Sequence, residues 1–316
     1  MTTTRAISNA RHIEAAELRT AGWTFRQIAE RFGWNPDSGA TGHAVRHGMQ
    51  LLNARNGSVS GPNWMLRTFG VEIEHTSVSE YRSAEAMRSA GLHAEETGYT
   101  HRVVTWWKNT TDGSCGYECV SPVLSGPQGF ADMKTAMTAI RSAGGRVSRS
   151  CGLHVHLGMQ DMTGEQIARF VQFYADAQNA INQIMPPSRQ HNVYCVMPVA
   201  TEMTRIVREF TDFRQAPQFC SSCGRGRCSH RYRTINVHSF PLYGTVEVRQ
   251  HQGTLNGPKA EAWVTFLMAM VEIARTDRVS EIDMTSATTL IDTVCDTLNV
   301  SATIRRRLLA RNGVRV

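Results

Sequence analysis

Two glutamates, Glu72 and Glu74, stand two apart in the run FGVEIE, alternating with Val71 and Ile73. The alternation returns in CGLHVHLG, where His154 and His156 interleave with Leu153, Val155 and Leu157. It returns again in GTVEVRQHQGT, where Glu247, Arg249 and His251 interleave with Val246 and Val248. Glu118 holds a comparable place in a further strand-like run, GYECV. Successive side chains point to opposite faces of a strand, so each run offers its charged members on one face and packs its aliphatics behind. One such glutamate pair alone is ordinarily a solvent-facing surface feature; its recurrence in several strands is not. Carboxylates that converge repel one another unless a cation lies among them, and oxygen ligands of this kind suit magnesium or manganese. An arginine in the same constellation suits phosphate, which it grips through two parallel hydrogen bonds. The residue types together describe a nucleoside triphosphate site that works with metals. The chain contains neither G-x-x-x-x-G-K-[ST] nor a dinucleotide-binding fingerprint, so such a site has to be built without a P-loop.

Two other chemistries use some of the same residues. Cys151 with His154 could form the thiol–histidine pair of a hydrolase or acyl transferase, but that leaves every glutamate unexplained. His154 and His156 could hold a hydrolytic zinc with Glu72, but the helical HExxH spacing is absent and carboxylates predominate. Zinc has a better place elsewhere. QFCSSCGRGRCSHR gathers Cys220, Cys223, Cys228 and His230 around a glycine turn, a candidate structural zinc site in which Cys195 or His191 could replace His230. The competing reading is a flexible basic loop with incidental cysteines, whose Arg225, Arg227 and Arg231 would touch a polyanionic substrate.

The elements that must position these residues follow from the surrounding pattern. The chain has 316 residues, 41% of them hydrophobic and 19% charged, which is globular composition with enough apolar material for a real core. Its formal charge of +7 permits a polyanionic partner without requiring one. No apolar run approaches the length of a membrane span, and the first residues lack the apolar stretch of a signal peptide. A cytoplasmic protein is expected, with its eight cysteines as thiols or metal ligands.

Residues 1–55 read as three short helices of a helix-turn-helix-like domain. Thr24 is a candidate N-cap, TFRQIAERFG follows, and the third segment carries His43, Arg46 and His47 as a recognition helix. Seven arginines face four acids there, a small excess that favours DNA over a purely protein-binding bundle only narrowly. A linker at 56–63 leads to a second domain, 64–316, with the cysteine-rich insertion at about 216–232. In it the pattern predicts a strand over 66–74, a helix over 84–90, a short strand over 101–106 and a hairpin turning at Asp112 and Gly113. Thr163 and Gln166 make a capping box for a helix buried through Ile167, Phe170, Val171, Tyr174, Ile181 and Ile184. Residues 231–240 and 244–250 read as adjacent antiparallel strands, and 259–275 as a helix packing Trp263, Phe266, Leu267 and Met270.

FGVEIE, WWKNTTDGSCGYECVSPVLSG, CGLHVHLG and RYRTINVHSFPLYGTVEVRQHQGTLN, in this order and spacing, resemble the amidoligase family over roughly residues 64–275. That family belongs to the carboxylate–amine ligases. The resemblance implies an α+β domain with a glutamine-synthetase-like antiparallel sheet and flanking helices. It implies ATP-dependent formation of an amide or isopeptide bond through an acyl phosphate, from a small-molecule or peptide carboxylate and an amine. Carried over, Glu72, Glu74, Glu118, His154 and Glu247 would hold magnesium or manganese, and His156 would lie near the ATP phosphates. Arg249, Glu247 and His156 would be catalytic. Asp112, Ser114 and Ser121 would shape the substrate pocket, with Arg189, Arg231 and Asn236 as contacts to substrate carboxylate or phosphate. Strand parity sets Arg233 opposite Asn236 and leaves it out. Families of this kind occur in phages and mobile elements, and the attached helix-turn-helix points to work near DNA. The alternative is a non-catalytic DNA-binding regulator that senses nucleotide or metal through a ligase-like domain; a full set of glutamates with Arg249 argues against such degeneracy.

Overall fold

The computed structural model describes residues 4–20, 23, 25–35, 41, 44, 45, 48, 63–98, 100, 102–190, 192–198, 200–211 and 231–310. Two helices open the chain, α1 (Thr4–Thr20) and α2 (Phe25–Phe32). Ala15 and Ile28 meet Val45 in a small core, flanked by Leu18, Phe32 and Trp34, and Arg31 pairs with Glu14 at 2.6 Å. Helical turns at 41, 44, 45 and 48 return onto α1 so closely that a Cβ on Gly48 would lie 1.7 Å from the His12 carbonyl oxygen. His43, Arg46 and His47 of the expected recognition helix lie outside the described residues, as does most of the expected linker.

The remainder is a mixed α+β unit built on a seven-stranded sheet of order β2-β3-β4-β1-β5-β7-β6. In chain order it runs β1 (Phe69–His75), α3 (Glu80–Ser89), β2 (Ala94–Glu96), β3 (Trp107–Asp112), β4 (Gly116–Val120), α4 (Gly126–Ser142), β5 (Gly152–Gly158), α5 (Gly164–Asp176), α6 (Gln178–Gln183), α7 (Pro187–Gln190), α8 (Ala200–Thr211), β6 (Ile235–Asn236), α9 (Phe240–Tyr243), β7 (Thr245–Gln252), α10 (Gly257–Arg275), α11 (Ala287–Thr297) and α12 (Ala302–Leu309). All neighbouring strands are antiparallel except the short edge pair β2 and β3. That edge strand lies at 94–96, not at the expected 101–106, and the stretch expected as a strand over 231–240 contributes only Ile235 and Asn236 before turning into α9. The expectation of an α+β domain with an antiparallel sheet and flanking helices is met.

The alternation sets the layers. Phe69, Val71 and Ile73 of β1, Leu153, Val155 and Leu157 of β5, and Val246 and Val248 of β7 are all at most 1% exposed, against the helices. Helix α10 runs through the middle of that layer and buries Trp263, Phe266, Leu267 and Met270, and residues on its remaining faces too, as an all-round apolar helix must. Thr163 caps α5 in a full capping box with Gln166.

One irregularity decides which side chains reach the open face. Along β5 and β7 the pairing steps from Leu153–His251 directly to Val155–Val248, so Arg249 and Gln250 together oppose His154. This is a β-bulge, one extra residue on β7. Gln250 therefore turns to the helices, accepting hydrogen bonds at Oε1 from the Tyr174 hydroxyl (2.7 Å) and Gln178 Nε2 (2.7 Å). His251 follows it, its ring 5.4 Å from that of Trp263. The expectation that His251 shares a face with Glu247 and Arg249 fails at that bulge.

Candidate active site

On the sheet face away from the buried aliphatics, β1 supplies Glu72 and Glu74, β5 supplies His154 and His156, β4 supplies Glu118, and β7 supplies Glu247 and Arg249. The register makes them neighbours: Glu72 stands opposite His154, Glu74 opposite Glu118, and His156 opposite Glu247. His154 Nδ1 lies 2.8 Å from Glu72 Oε2 and His156 Nε2 lies 3.1 Å from Glu72 Oε1, so one carboxylate accepts from two imidazoles. His154 also approaches Glu74 (3.4 Å) and Glu247 (3.7 Å). Arg249 Nη1 donates to Glu247 Oε1 at 2.5 Å, and Asn236 Nδ2 donates to Glu247 Oε2 at 2.7 Å. Glu74 accepts from the Gly152 backbone N–H at 2.5 Å.

Burial penalises every charge here, and the partners decide the outcome. Burial works to raise the Glu72 carboxyl, but hydrogen bonds from His154 and His156 hold it well below the ordinary carboxylate range. Burial likewise opposes ionisation of Glu247, and the Arg249 guanidinium outweighs it. His156 is pushed down by burial yet ends above its ordinary value because Glu247 and Glu72 face it. Glu118 goes the other way. Burial, then the charges of Glu72, Glu74 and Asp112, drive its carboxyl well above the usual range.

Two sets of ligand atoms lie within 4.8 Å of one another: Glu72, Glu118 and His154, and Glu72, His156 and Glu247. Glu72 belongs to both. These carboxylate and imidazole donors suit divalent cations. His156, expected near phosphates, thus stands with the second set, and Glu74 instead groups with Asp112 and Cys115.

The electrostatics give a direct expectation. An acid whose folded pKa lies above its unfolded value costs stability at pH above that unfolded value, so the Glu118 penalty is present at neutrality and removed on acidification. Glu118→Gln should therefore raise the melting temperature of the metal-free protein at pH 7.5 by a few degrees, with little difference at pH 4. It should at the same time weaken stabilisation by magnesium. Thermal melts at the two pH values, with and without magnesium, check both signs; a variant melting lower than the native protein at pH 7.5 would contradict them.

The remaining expected residues divide. Asp112 Oδ1 accepts from Ser114 N (2.7 Å), Ser114 Oγ (2.5 Å) and Cys115 N (3.0 Å), so Ser114 serves the β3–β4 turn that sets Asp112 beside Glu74. Ser121 Oγ accepts from the Val71 N–H at 2.8 Å, tying the end of β4 to β1. Arg189, 2% exposed, donates to the Arg249 and Gln250 carbonyl oxygens at 2.6 and 3.2 Å. Its guanidinium thereby satisfies backbone carbonyls at the β7 bulge. Arg231 lies over the Tyr232 ring at 5.5 Å, and Arg249 is 5.9 Å from that same ring. Arg233 pairs with Glu202 at 2.7 Å. Cys220, Cys223, Cys228 and His230, with His191, lie outside the described residues; Cys195 is buried, its thiol donating to the Arg189 carbonyl at 3.5 Å.

Lys108 was not anticipated. It alternates with Thr110 and Asp112 on β3, is 7% exposed, and donates to the carbonyls of Thr100 (3.0 Å) and Arg102 (3.1 Å). Burial lowers its ammonium pKa while Glu72 and Glu118 oppose that shift, which places a cation at the carboxylate end of the sheet.

A largely antiparallel sheet thus carries carboxylates, imidazoles and a buried arginine on one face and packs helices on the other. Comparison with known families agrees. The model of the family described as "Putative amidoligase enzyme" matches residues 66–271, and the chain belongs to that family. No curated protein matches the chain in sequence. No helix among the described residues is long and apolar enough to cross a membrane.

Proposed function

We propose that this chain is an ATP-dependent carboxylate–amine ligase that activates a carboxylate as its acyl phosphate and joins it to an amine. The observation that carries the reading is Glu72, shared by two ligand sets and held ionised by His154 and His156. Glu72, Glu118 and His154 would hold one divalent ion, and Glu72, His156 and Glu247 another. Bound there, magnesium or manganese would neutralise phosphate charge and orient ATP against the acid. Arg249, buried and fixed through Glu247, offers its remaining N–H groups to the transferring phosphoryl group, the electrostatic contribution that dominates such reactions. Asn236 holds Glu247 in place and keeps that carboxylate from rotating away from the cations.

The N-terminal helices would carry the enzyme to DNA, a reading supported by the packing of α1 against α2 around Ala15, Ile28 and Val45, and an electrophoretic shift at low salt tests it. The ligase reading has its own test. Magnesium with ATP should raise the melting temperature beyond either alone, by mass action on the folded state. ADP release should then depend on both an acid and an amine when panels of each are screened. A native protein with no magnesium-dependent response to ATP, its DNA binding intact, would end the proposal and favour the non-catalytic DNA-binding regulator.

A further inference from the structure

We propose that Glu74, Asp112 and Cys115 form a separate cation position for a thiophilic divalent ion, zinc by its chemistry, with Cys151 as the adjacent fourth donor. One ligand atom from each of the three lies within 4.8 Å of the other two, which is the spacing that donors about 2.0–2.3 Å from a single ion can close to. They come from different elements: Glu74 from β1, Asp112 from the end of β3, Cys115 from the β3–β4 turn, and Cys151 from the residue before β5. The donors are prepared for the task in three ways. The turn places all three of its hydrogen bonds on Asp112 Oδ1, leaving Oδ2 for a ligand. Cys115 is 9% exposed and Cys151 is fully buried, and the two thiol groups interact with each other. The Ser148 N–H (3.3 Å) and hydroxyl (3.4 Å) both reach the Cys151 sulfur, a setting for a thiolate. A Cβ on Gly253 would come within 2.5 Å of the Cys151 Cβ, so glycine there is what lets the end of β7 close over this cysteine.

Among the described residues, the ion pair that Glu74 makes is with His154 at 3.4 Å, and Asp112 has none. Among the described residues no lysine or arginine forms an ion pair with either of these carboxylates. The two sets that share Glu72 offer carboxylate and imidazole donors and no sulfur, whereas thiolates select softer ions, so this position differs in kind from them. Because Glu74 also borders Glu118, occupancy here is coupled to the carboxylate cluster. The position stands whether or not the ligase reading does, because its test reads metal–sulfur bonding and not turnover.

The full chain carrying Cys220→Ser, Cys223→Ser and Cys228→Ser removes the competing thiols of the cysteine-rich segment. Cobalt(II) titrated into it under reducing conditions, with excess magnesium present, should give the near-ultraviolet charge-transfer absorption of a thiolate-bound ion, one per chain. Cys115→Ser should cut that band by about half or more, Cys115→Ser with Cys151→Ser should abolish it, and Asp112→Asn should weaken cobalt binding about tenfold or more. Zinc added to the unsubstituted protein should shield Cys115 and Cys151 from alkylation, read by peptide mapping, which needs no variant to fold. A folded triple variant without the band, or a band indifferent to Cys115→Ser, or unshielded cysteines in zinc, would each overturn the assignment.

Discussion

Glu72→Gln is expected to remove ATP-dependent turnover by at least about 10³-fold and to erase magnesium-dependent stabilisation by ATP. Every other ligand in the two sets belongs to one of them, and Glu72 belongs to both. Its oxygens are already divided, Oε2 toward His154 and Oε1 toward His156. Glutamine keeps the shape but offers a single carbonyl acceptor and an NH₂ group that faces an imidazole donor. The loss of a charged hydrogen bond of this kind costs about 1.5–3 kcal/mol, so the metal-free variant should also melt lower. The pH dependence separates this from a general packing defect. A carboxyl whose folded pKa is depressed stabilises the native state above its unfolded pKa and ceases to do so as pH falls through the folded value. The difference between native protein and variant should therefore be full at pH 7 and shrink well below pH 4. Equal destabilisation across that range, or ADP release within tenfold of native, would move the catalytic centre away from Glu72. Glu118→Gln provides the contrast, since it weakens the same cation response while raising metal-free stability.

The strands that carry the chemistry were readable because alternation is a local signal. Glu72 and Glu74, His154 and His156, and Glu247 and Arg249 share a face in the fold for the reason they share parity in the sequence. What failed was decided over long range. Nothing in VEVRQHQ marks a bulge, yet one extra residue opposite His154 sends Gln250 and His251 to the helices. Arg189 looked like a substrate contact in a polar segment. It reaches across from α7 to the carbonyls of β7 at that bulge, contacts that only the tertiary structure supplies. Lys108 was within reach of the same parity argument, through WKNTTD and Asp112. It lies on β3, the first strand of the hairpin expected to turn at Asp112 and Gly113. The edge strand 94–96 carries the residues AEE, which offer no β-branched or aromatic signal, and it forms because β3 presents an unpaired edge. Ser121 and Ser114 show a related limit: a short polar side chain in a motif reads as a ligand from sequence, but both here satisfy backbone and turn geometry.

Arg249→Met should be the most damaging single change in the site, costing about 3–5 kcal/mol of stability along with activity. Arg249 and Glu247 are 6% and 4% exposed, and their 2.5 Å contact joins two charges that water no longer solvates. Methionine fills much of the volume, so the cost comes from Glu247, left buried with Asn236 and the histidines as its remaining partners. In the native protein burial raises the Glu247 carboxyl but Arg249 prevails and holds it low. Its stabilising contribution is then present above the unfolded carboxyl pKa and lost as pH falls through the depressed folded value. Without Arg249 burial is less opposed and the carboxyl rises, so ionised Glu247 becomes a penalty at neutrality that protonation relieves. Denaturant unfolding of the variant should show its largest deficit near pH 7 to 8 and a smaller one near pH 4. The pair also predicts non-additivity. Arg249→Met with Glu247→Gln should recover most of the lost stability, because no unpaired charge remains, while recovering none of the turnover. Additive losses in the double variant would mean that Arg249 braces the fold through its carbonyl contact at Tyr194 and its place near Tyr232, not through Glu247. Recovery of stability without activity would locate the function of the buried pair in phosphate chemistry, since the fold would then have stood without it.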